Sequence, residues 1–320
     1  MIVRWGLEEL PGLLAELDVD RPFLIASDRW SNLDLPASGR WSEVPSDRID
    51  DLANAAQGSD GILAVGGGSA IDLAKAVSAV TGLPLVSVPT TYSGAEWTSY
   101  FGVRDPRKYM VGGGSGANLA GIVYDPKLTL DLPPAGSGGT AMNALAHCAE
   151  ALYVSGRNPE GDEHALEGAR LVSESLPRVL ADGTDLDART TLLRGAMHAG
   201  AALGSAGLGL GHSMAQAVGG RYGIPHGAAN ALCLPPALRF NEPVAGEEIA
   251  RFGEALRAPD AAKRCEELAR LSGYERLRDL GVPEEELDEI AEATAVRAGA
   301  KANPRPASPA EIAELFRSIW

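Results

Sequence analysis

Ala64-Val65-Gly66-Gly67-Gly68-Ser69-Ala70-Ile71-Asp72-Leu73-Ala74-Lys75-Ala76 reads as the end of a buried strand, a glycine-rich turn and the start of a helix. Glycine lets a backbone approach a pyrophosphate closely, and the free amides and dipole of a helix N-terminus favour its negative charge. A tight strand-to-helix turn with Ser69 as a cap also needs glycine. Three consecutive glycines exceed that need, so the turn is expected to bind phosphate. The spacing is not the GxGxxG of a standard dinucleotide fingerprint.

Around that turn, Pro22-Phe23-Leu24-Ile25-Ala26, Gly61-Ile62-Leu63-Ala64-Val65, Leu83-Pro84-Leu85-Val86-Ser87-Val88 and Gly121-Ile122-Val123-Tyr124 read as buried strands, with helical stretches between several of them. The alternation predicts an α/β N-terminal domain with a parallel sheet, Rossmann-like and dinucleotide-binding, whose ligands lie beyond the carboxyl ends of the strands. Asp28, just past the first of these strands, suits a ribose and repels a 2′-phosphate, favouring NAD(H) over NADP(H); an exposed helix cap explains it equally well. Thr90 and Thr91, in Pro89-Thr90-Thr91-Tyr92-Ser93-Gly94-Ala95-Glu96, supply hydroxyls at the end of another strand. After Leu132-Pro133-Pro134 the pattern turns helical, as in Met142, Leu145, Ala146, Ala149, Leu152 and Tyr153, which form one apolar face. The expected organisation is an α/β domain over 1–134 and an all-α domain over 135–320, with a ligand cleft between them. Gly112-Gly113-Gly114-Ser115-Gly116 reads as a loop.

The chain has 320 residues, 45% of them hydrophobic and 22% charged, with a formal net charge of −15. That length favours two domains. The negative charge argues against nucleic acid, which needs a basic face, and leaves an anionic small substrate to be held by local cations or amides. No window is long and apolar enough for a membrane span, and Met-Ile-Val-Arg-Trp-Gly lacks the pattern of a signal peptide, so a cytoplasmic location is expected. Cys148, Cys233 and Cys265 form no CxxC pair and are expected to be structural thiols.

Three of the five histidines fall in Met142-Asn143-Ala144-Leu145-Ala146-His147 and in Gly211-His212 through Pro225-His226-Gly227. Asn143 and His147 project from one side of a helix, with Glu150 continuing the stripe, and His212 and Gln216 repeat the spacing on a second helix expected to stop at Gly219-Gly220. His226 follows a proline at a helix start. A lone histidine is as readily a hydrogen-bonded core residue. Three set in apolar runs point instead to a shared site of Asn143, His147, His212 and His226, one carboxylate short of a good divalent-metal set. His164 and His198 have no such company and are expected to be structural or on the surface.

Gly-Gly-Gly-Ser-x-x-Asp-x-Ala-Lys at 66–75, Pro-Thr-Thr at 89–91, the Asn/His pair at 143 and 147, and Gly-His-x-Met-Ala through Ile-Pro-His-Gly at 211–227 resemble the iron-containing alcohol dehydrogenase superfamily over most of the chain. Pro89 to Glu96, Met142 to Tyr153, Arg157-Asn158-Pro159 and Asn303-Pro304-Arg305-Pro306 are most similar to maleylacetate reductases; Asp72 and Tyr222 to Asn230 are closer to ordinary alcohol dehydrogenases. The resemblance implies the dehydroquinate synthase-like fold and a homodimer. It puts Gly67, Gly68 and Ser69 at the pyrophosphate, Asp28 at the adenosine ribose, Asp72, Thr90 and Thr91 along the cofactor, and Lys108 at the nicotinamide-side ribose.

In the metal-dependent members iron or zinc is held at the positions of Asn143, His147, His212 and His226, with aspartate first. The asparagine here removes the anionic ligand. Gln216 is a second departure, because both groups usually place a histidine there near the nicotinamide. The implied activity is an NAD(P)H-dependent reduction of an anionic oxo-acid, maleylacetate to 3-oxoadipate, without tightly bound metal. His147, His212 and His226 would donate to the enolate or a carboxylate, and one of them would supply the acid. The alternative is an alcohol dehydrogenase or carbonyl reductase whose Fe or Zn polarises a carbonyl. A lyase of the same fold, or a non-catalytic nucleotide-binding relative, ranks lower.

Overall fold

The computed structural model describes residues 1–320 as two compact units, one of residues 1–91 with 95–129 and one of residues 92–94 with 130–320. The first holds six parallel strands: β1 (Ile2–Trp5), β2 (Pro22–Ile25), β3 (Gly39–Trp41), β4 (Gly61–Gly66), β5 (Leu85–Pro89) and, after a hairpin of β6 (Phe101–Arg104) with β7 (Met110–Gly114), β8 (Leu119–Tyr124). The sheet order is β1-β8-β5-β4-β2-β3. All four expected strands are present. Two short ones, β1 and β3, escaped the sequence reading because neither has the continuous apolar run of a strand buried on both faces; their residues are mostly half-buried. Gly112–Gly114 is strand rather than loop, paired antiparallel with Phe101–Val103. Gly113 faces the partner backbone so closely that a Cβ would meet Phe101 O at 2.9 Å.

Strand alternation divides the core of this unit. Leu63 and Val65 pack with Leu10, Leu13 and Leu14 of α1 (Leu10–Glu16) on one face of the sheet. Ile62 and Ala64 pack on the other with Leu52 of α2 (Ile49–Ala55) and Ile71, Ala74 and Val77 of α3 (Gly68–Thr81). Both faces are therefore covered, as the apolar runs require. Chain connections run one way from β2 and the other way from β4, so the gap between these neighbours is the sheet's topological switch point.

The second unit is helical: α4 (Pro134–Ala151), α5 (Pro159–Ala181), α6 (Leu186–Ala206), α7 (Leu210–Tyr222), α8 (His226–Ala255), α9 (Ala261–Leu271), α10 (Leu287–Ala295), α11 (Ala298–Ala302) and α12 (Pro309–Ser318). The expected single apolar face on α4 is corrected. From Ser137 to Ala151 only Thr140 is not buried, because α5, α6, α8 and α9 all pack on it. A helix buried all round must pair its polar groups internally, and α4 carries Asn143, His147 and Glu150 into that interior. No helix is long and apolar enough to cross a membrane.

Candidate functional site

The glycine turn is built from backbone. Gly66 ends β4 at φ 154, a conformation that costs glycine little, and an added Cβ would lie 2.7 Å from Ala70 Cβ. Gly67 is the N-cap of α3 and makes no side-chain cap, so Ser69 does not cap the helix and the first amides of α3 lack a partner from that quarter. Thr90 N donates to Gly66 O (3.0 Å), which closes the end of β5 onto the turn. Thr91 lies against Gly67 and its Oγ1 is buried without a partner. Asp28 is exposed in the first turn after β2, so it and the glycines stand at the carboxyl ends of the two strands flanking the switch point. These features fit a dinucleotide pyrophosphate and ribose.

Asp72 is otherwise engaged. Its carboxylate pairs with the buried Lys75 ammonium (2.8 Å) and accepts from Gly102 N (3.3 Å), tying the β6–β7 hairpin to α3. Lys108 sits exposed in the turn of that hairpin at φ 73.

Asn143, His147, His212 and His226 do come together, all within the helical unit. The His147 and His212 rings stack at 4.6 Å with 10° between their planes, and His226 lies 5.7 Å from His212. His226 is the first residue of α8, as expected. It is brought to α4 by a close backbone approach: a Cβ on Gly227 would meet Gly139 O at 2.4 Å. The helix bearing His212 does not stop at Gly219-Gly220. It continues to Tyr222 and ends on Gly223 in the left-handed conformation (φ 68), which forms the C-cap.

Two residues outside the predicted set hold the cluster. Fully buried Glu150 accepts from Gly209 N (2.6 Å), His212 N (3.0 Å) and His212 Nδ1 (2.7 Å). It thus caps the N-terminus of α7 from another helix and orients the ring that α7 carries. Glycines at 209 and 211 give the carboxylate room, since a Cβ at either would lie about 3.0 Å from it. The cap is separated from its helix by about 60 residues of sequence, so no local capping pattern reveals it.

Asn230 is the second. Its Nδ2 donates to Asn143 Oδ1 (2.8 Å), faces His226 Nε2 (3.0 Å) and donates to His226 O (3.1 Å). Asn143 Nδ2 donates in turn to Ser93 O (3.0 Å), which fixes the direction of its carbonyl. His147 Nδ1 is buried with no partner. Burial first, then the neighbouring His212 and His226, hold the His147 pKa well below the ordinary imidazole range.

As arranged, these four residues do not fit a divalent cation. Two of the ligand atoms, Asn143 Oδ1 and His226 Nε2, face a single amide nitrogen. The stacked rings of His147 and His212 are nearly parallel, so their planes do not converge on one point. No anionic ligand is in the set, and no group of three or more His, Cys, Asp or Glu side chains is placed to hold a metal.

Elsewhere, His164 and His198, expected to be structural or on the surface, face each other, Nδ1 to Nδ1 at 2.8 Å across α5 and α6. Asn303 and Arg305 prove to be structural. Asn303 exchanges two hydrogen bonds with Asn241, and Arg305 stacks 3.9 Å over the Phe240 ring. The three cysteines are buried and free, with thiol pKa values pushed up by burial.

With this geometry in place, comparison with known proteins defines the class. Residues 138–320 match the description "Fe-containing alcohol dehydrogenase family, C-terminal" and residues 37–123 match "Iron-containing alcohol dehydrogenase". The chain belongs to the iron-containing alcohol dehydrogenase family and is an oxidoreductase. More particularly, it is 38% identical over 264 residues to a maleylacetate reductase of Burkholderia cepacia, covering 82% of this chain and 74% of that one. It is 35% identical over 280 residues to the maleylacetate reductase of Pseudomonas sp. strain P51, covering 87% and 79%. The crystal structure of maleylacetate reductase from Agrobacterium tumefaciens superposes with a TM-score of 0.90 at 29% identity, over 100% of this chain and 95% of the other.

Proposed function

We propose that this protein is an NADH-dependent reductase of maleylacetate or a close relative, acting without tightly bound metal. One observation carries the reading beyond the family: the carboxamide of Asn230 occupies the carbonyl of Asn143 and faces the ring nitrogen of His226, where a metal enzyme needs open lone pairs. NADH supplies the hydride, which adds to the alkene carbon β to the ketone and leaves an enolate that takes a proton to give 3-oxoadipate.

The chain's own residues then have distinct tasks. The amides at Gly67, Gly68 and Ser69 bind the pyrophosphate, with Thr90 and Thr91 beside them, and Asp28 selects the unphosphorylated ribose. His147, kept neutral by burial, serves as a hydrogen-bond donor to the developing enolate and not as its acid. His226 is the most exposed of the three rings, so it is the one able to exchange a proton with water. His212 is held in place by Glu150. The protein is expected to act as a cytoplasmic homodimer.

The test is turnover after metal removal. Protein dialysed against a strong chelator, with metal content verified by elemental analysis, should oxidise NADH with maleylacetate at an undiminished rate. Stoichiometric iron or zinc whose removal abolishes turnover, and whose return restores it, would overturn the proposal in favour of a metal-dependent alcohol dehydrogenase.

A further inference from the structure

Arg297 is a cation without a counter-ion. It lies half-buried at the N-cap of α11, and no carboxylate is paired with it. Its Nη1 reaches Gln216 Oε1 at 3.5 Å, a long contact, and its Nε is buried with no partner. Burial alone pulls its pKa below the ordinary guanidinium value. Keeping a charge out of water with nothing to offset it is costly, and an arginine on a free surface would simply turn outward.

Its position gives the cost a purpose. Gln216 stands one turn beyond His212 on the same face of α7, roughly 6 Å along it, so the guanidinium extends the polar cluster of His212 by one residue. Helix α11 is pressed onto the start of α7, where a Cβ on Gly299 would meet Gly209 O at 2.6 Å and Ser213 Oγ at 2.7 Å. That contact fixes the backbone from which Arg297 reaches in.

Four other arginines of the unit, Arg170, Arg189, Arg257 and Arg264, are already engaged. Arg189 is fully buried, but its guanidinium is bound to the carbonyls of Gly183, Leu130 and Leu132 and to two hydroxyls. In a groove of about 520 Å³ beside α9, Arg170, Arg257 and Arg264 each pair with a glutamate.

We infer that Arg297, with the Gln216 amide beside it, is the carboxylate-binding corner of the substrate site. The guanidinium presents two parallel N–H groups to one carboxylate of a dianionic oxo-acid, and the Gln216 side chain adds a third donor. This inference rests on the reductase reading and names what that reading left open: the group by which the site takes a dicarboxylate in preference to an alcohol or a neutral enone.

The experiment compares Arg297→Met and Arg297→Lys with the wild type on maleylacetate and on its dimethyl ester, which carries no charge. Succinate binding to the NAD⁺-saturated protein is followed by calorimetry in parallel. Arg297→Met should raise KM for maleylacetate about tenfold to hundredfold, the effect of losing one charge-assisted contact, with kcat within about threefold. It should abolish succinate binding and leave kcat/KM for the ester unchanged, and Arg297→Lys should recover part of the loss. Equal losses on acid and ester, no loss on either, or unaltered succinate binding would overturn the assignment. If wild-type protein binds succinate through Arg297 yet reduces no maleylacetate, the reaction is wrong and the carboxylate site stands.

Discussion

The glycine turn after β4 and the histidine cluster on α4, α7 and α8 are built on opposite plans. The turn is made of main chain: a positive φ at Gly66, uncapped amides at the start of α3 and a carbonyl that closes onto Thr90. Its recognition elements are contiguous, and removing a side chain there takes away little. The cluster is made of side chains drawn from three helices, with Glu150 holding His212 and Asn230 holding Asn143 and His226. Its geometry therefore depends on residues that touch no ligand. A backbone site tolerates loss of side chains and fails on their gain, whereas a side-chain site behaves in reverse.

The sharpest way to break that contrast is Glu150→Ala. Removing the carboxylate leaves two amides and a ring N–H buried without acceptors, and unfolding in urea should show a loss of about 3–5 kcal/mol. If stability falls by less than about 1 kcal/mol, the cluster does not depend on that cap. The mirror experiment adds a side chain to the turn. Gly67→Val places its Cβ 2.8 Å from Thr91 Cγ2, at the edge where the pyrophosphate would approach. NADH affinity, read by fluorescence titration, should fall about hundredfold, while succinate binding at Arg297, measured with NAD⁺ raised to saturation, is retained.

The smallest effect concerns Glu96, a carboxyl buried in the first unit. Burial raises its pKa above the ordinary 4.5, against the lowering contributions of its own backbone contact, the Tyr124 hydroxyl and Lys75. A group whose folded pKa is raised binds more protons when folded, so its stabilisation is complete below about pH 4.5 and is lost as pH rises through the folded value. Glu96→Gln mimics the protonated acid. It should flatten the decline in stability above pH 4.5 and change the neutral-pH value by about 1 kcal/mol or less, measured by thermal melts across pH. A variant with the wild-type pH profile would show that Glu96 is ionised throughout.

The contrast also explains what was readable in advance. Strands β2, β4, β5 and β8 and the turn after β4 announce themselves because their determinants are local: continuous apolar runs and adjacent glycines. Asn143, His147, His212 and His226 were identifiable as residue types at helical spacing, and the structure brings them together. Glu150 lay in plain view as part of the same stripe, yet its role as a cap of α7 depends on a contact with Gly209 far along the chain. Asn230 and Arg297 carried no sequence signal: an asparagine one turn into a helix and an arginine among exposed residues are common, and only the packing of α8 and α11 gives them partners. The His164–His198 pair is invisible in the sequence for the same reason, since the two residues meet across helices.

Residues 92–94 belong by contact to the helical unit although they lie between stretches of the other. The Tyr92 hydroxyl accepts from the buried Arg189 guanidinium (3.1 Å), and Ser93 O holds Asn143. The chain is consequently not modular. A fragment cut at residue 130 would carry every candidate histidine but would lack the three residues that complete its interior. Recombination with a relative would have to exchange this tripeptide together with the helices, or accept a mismatched seam beneath Asn143.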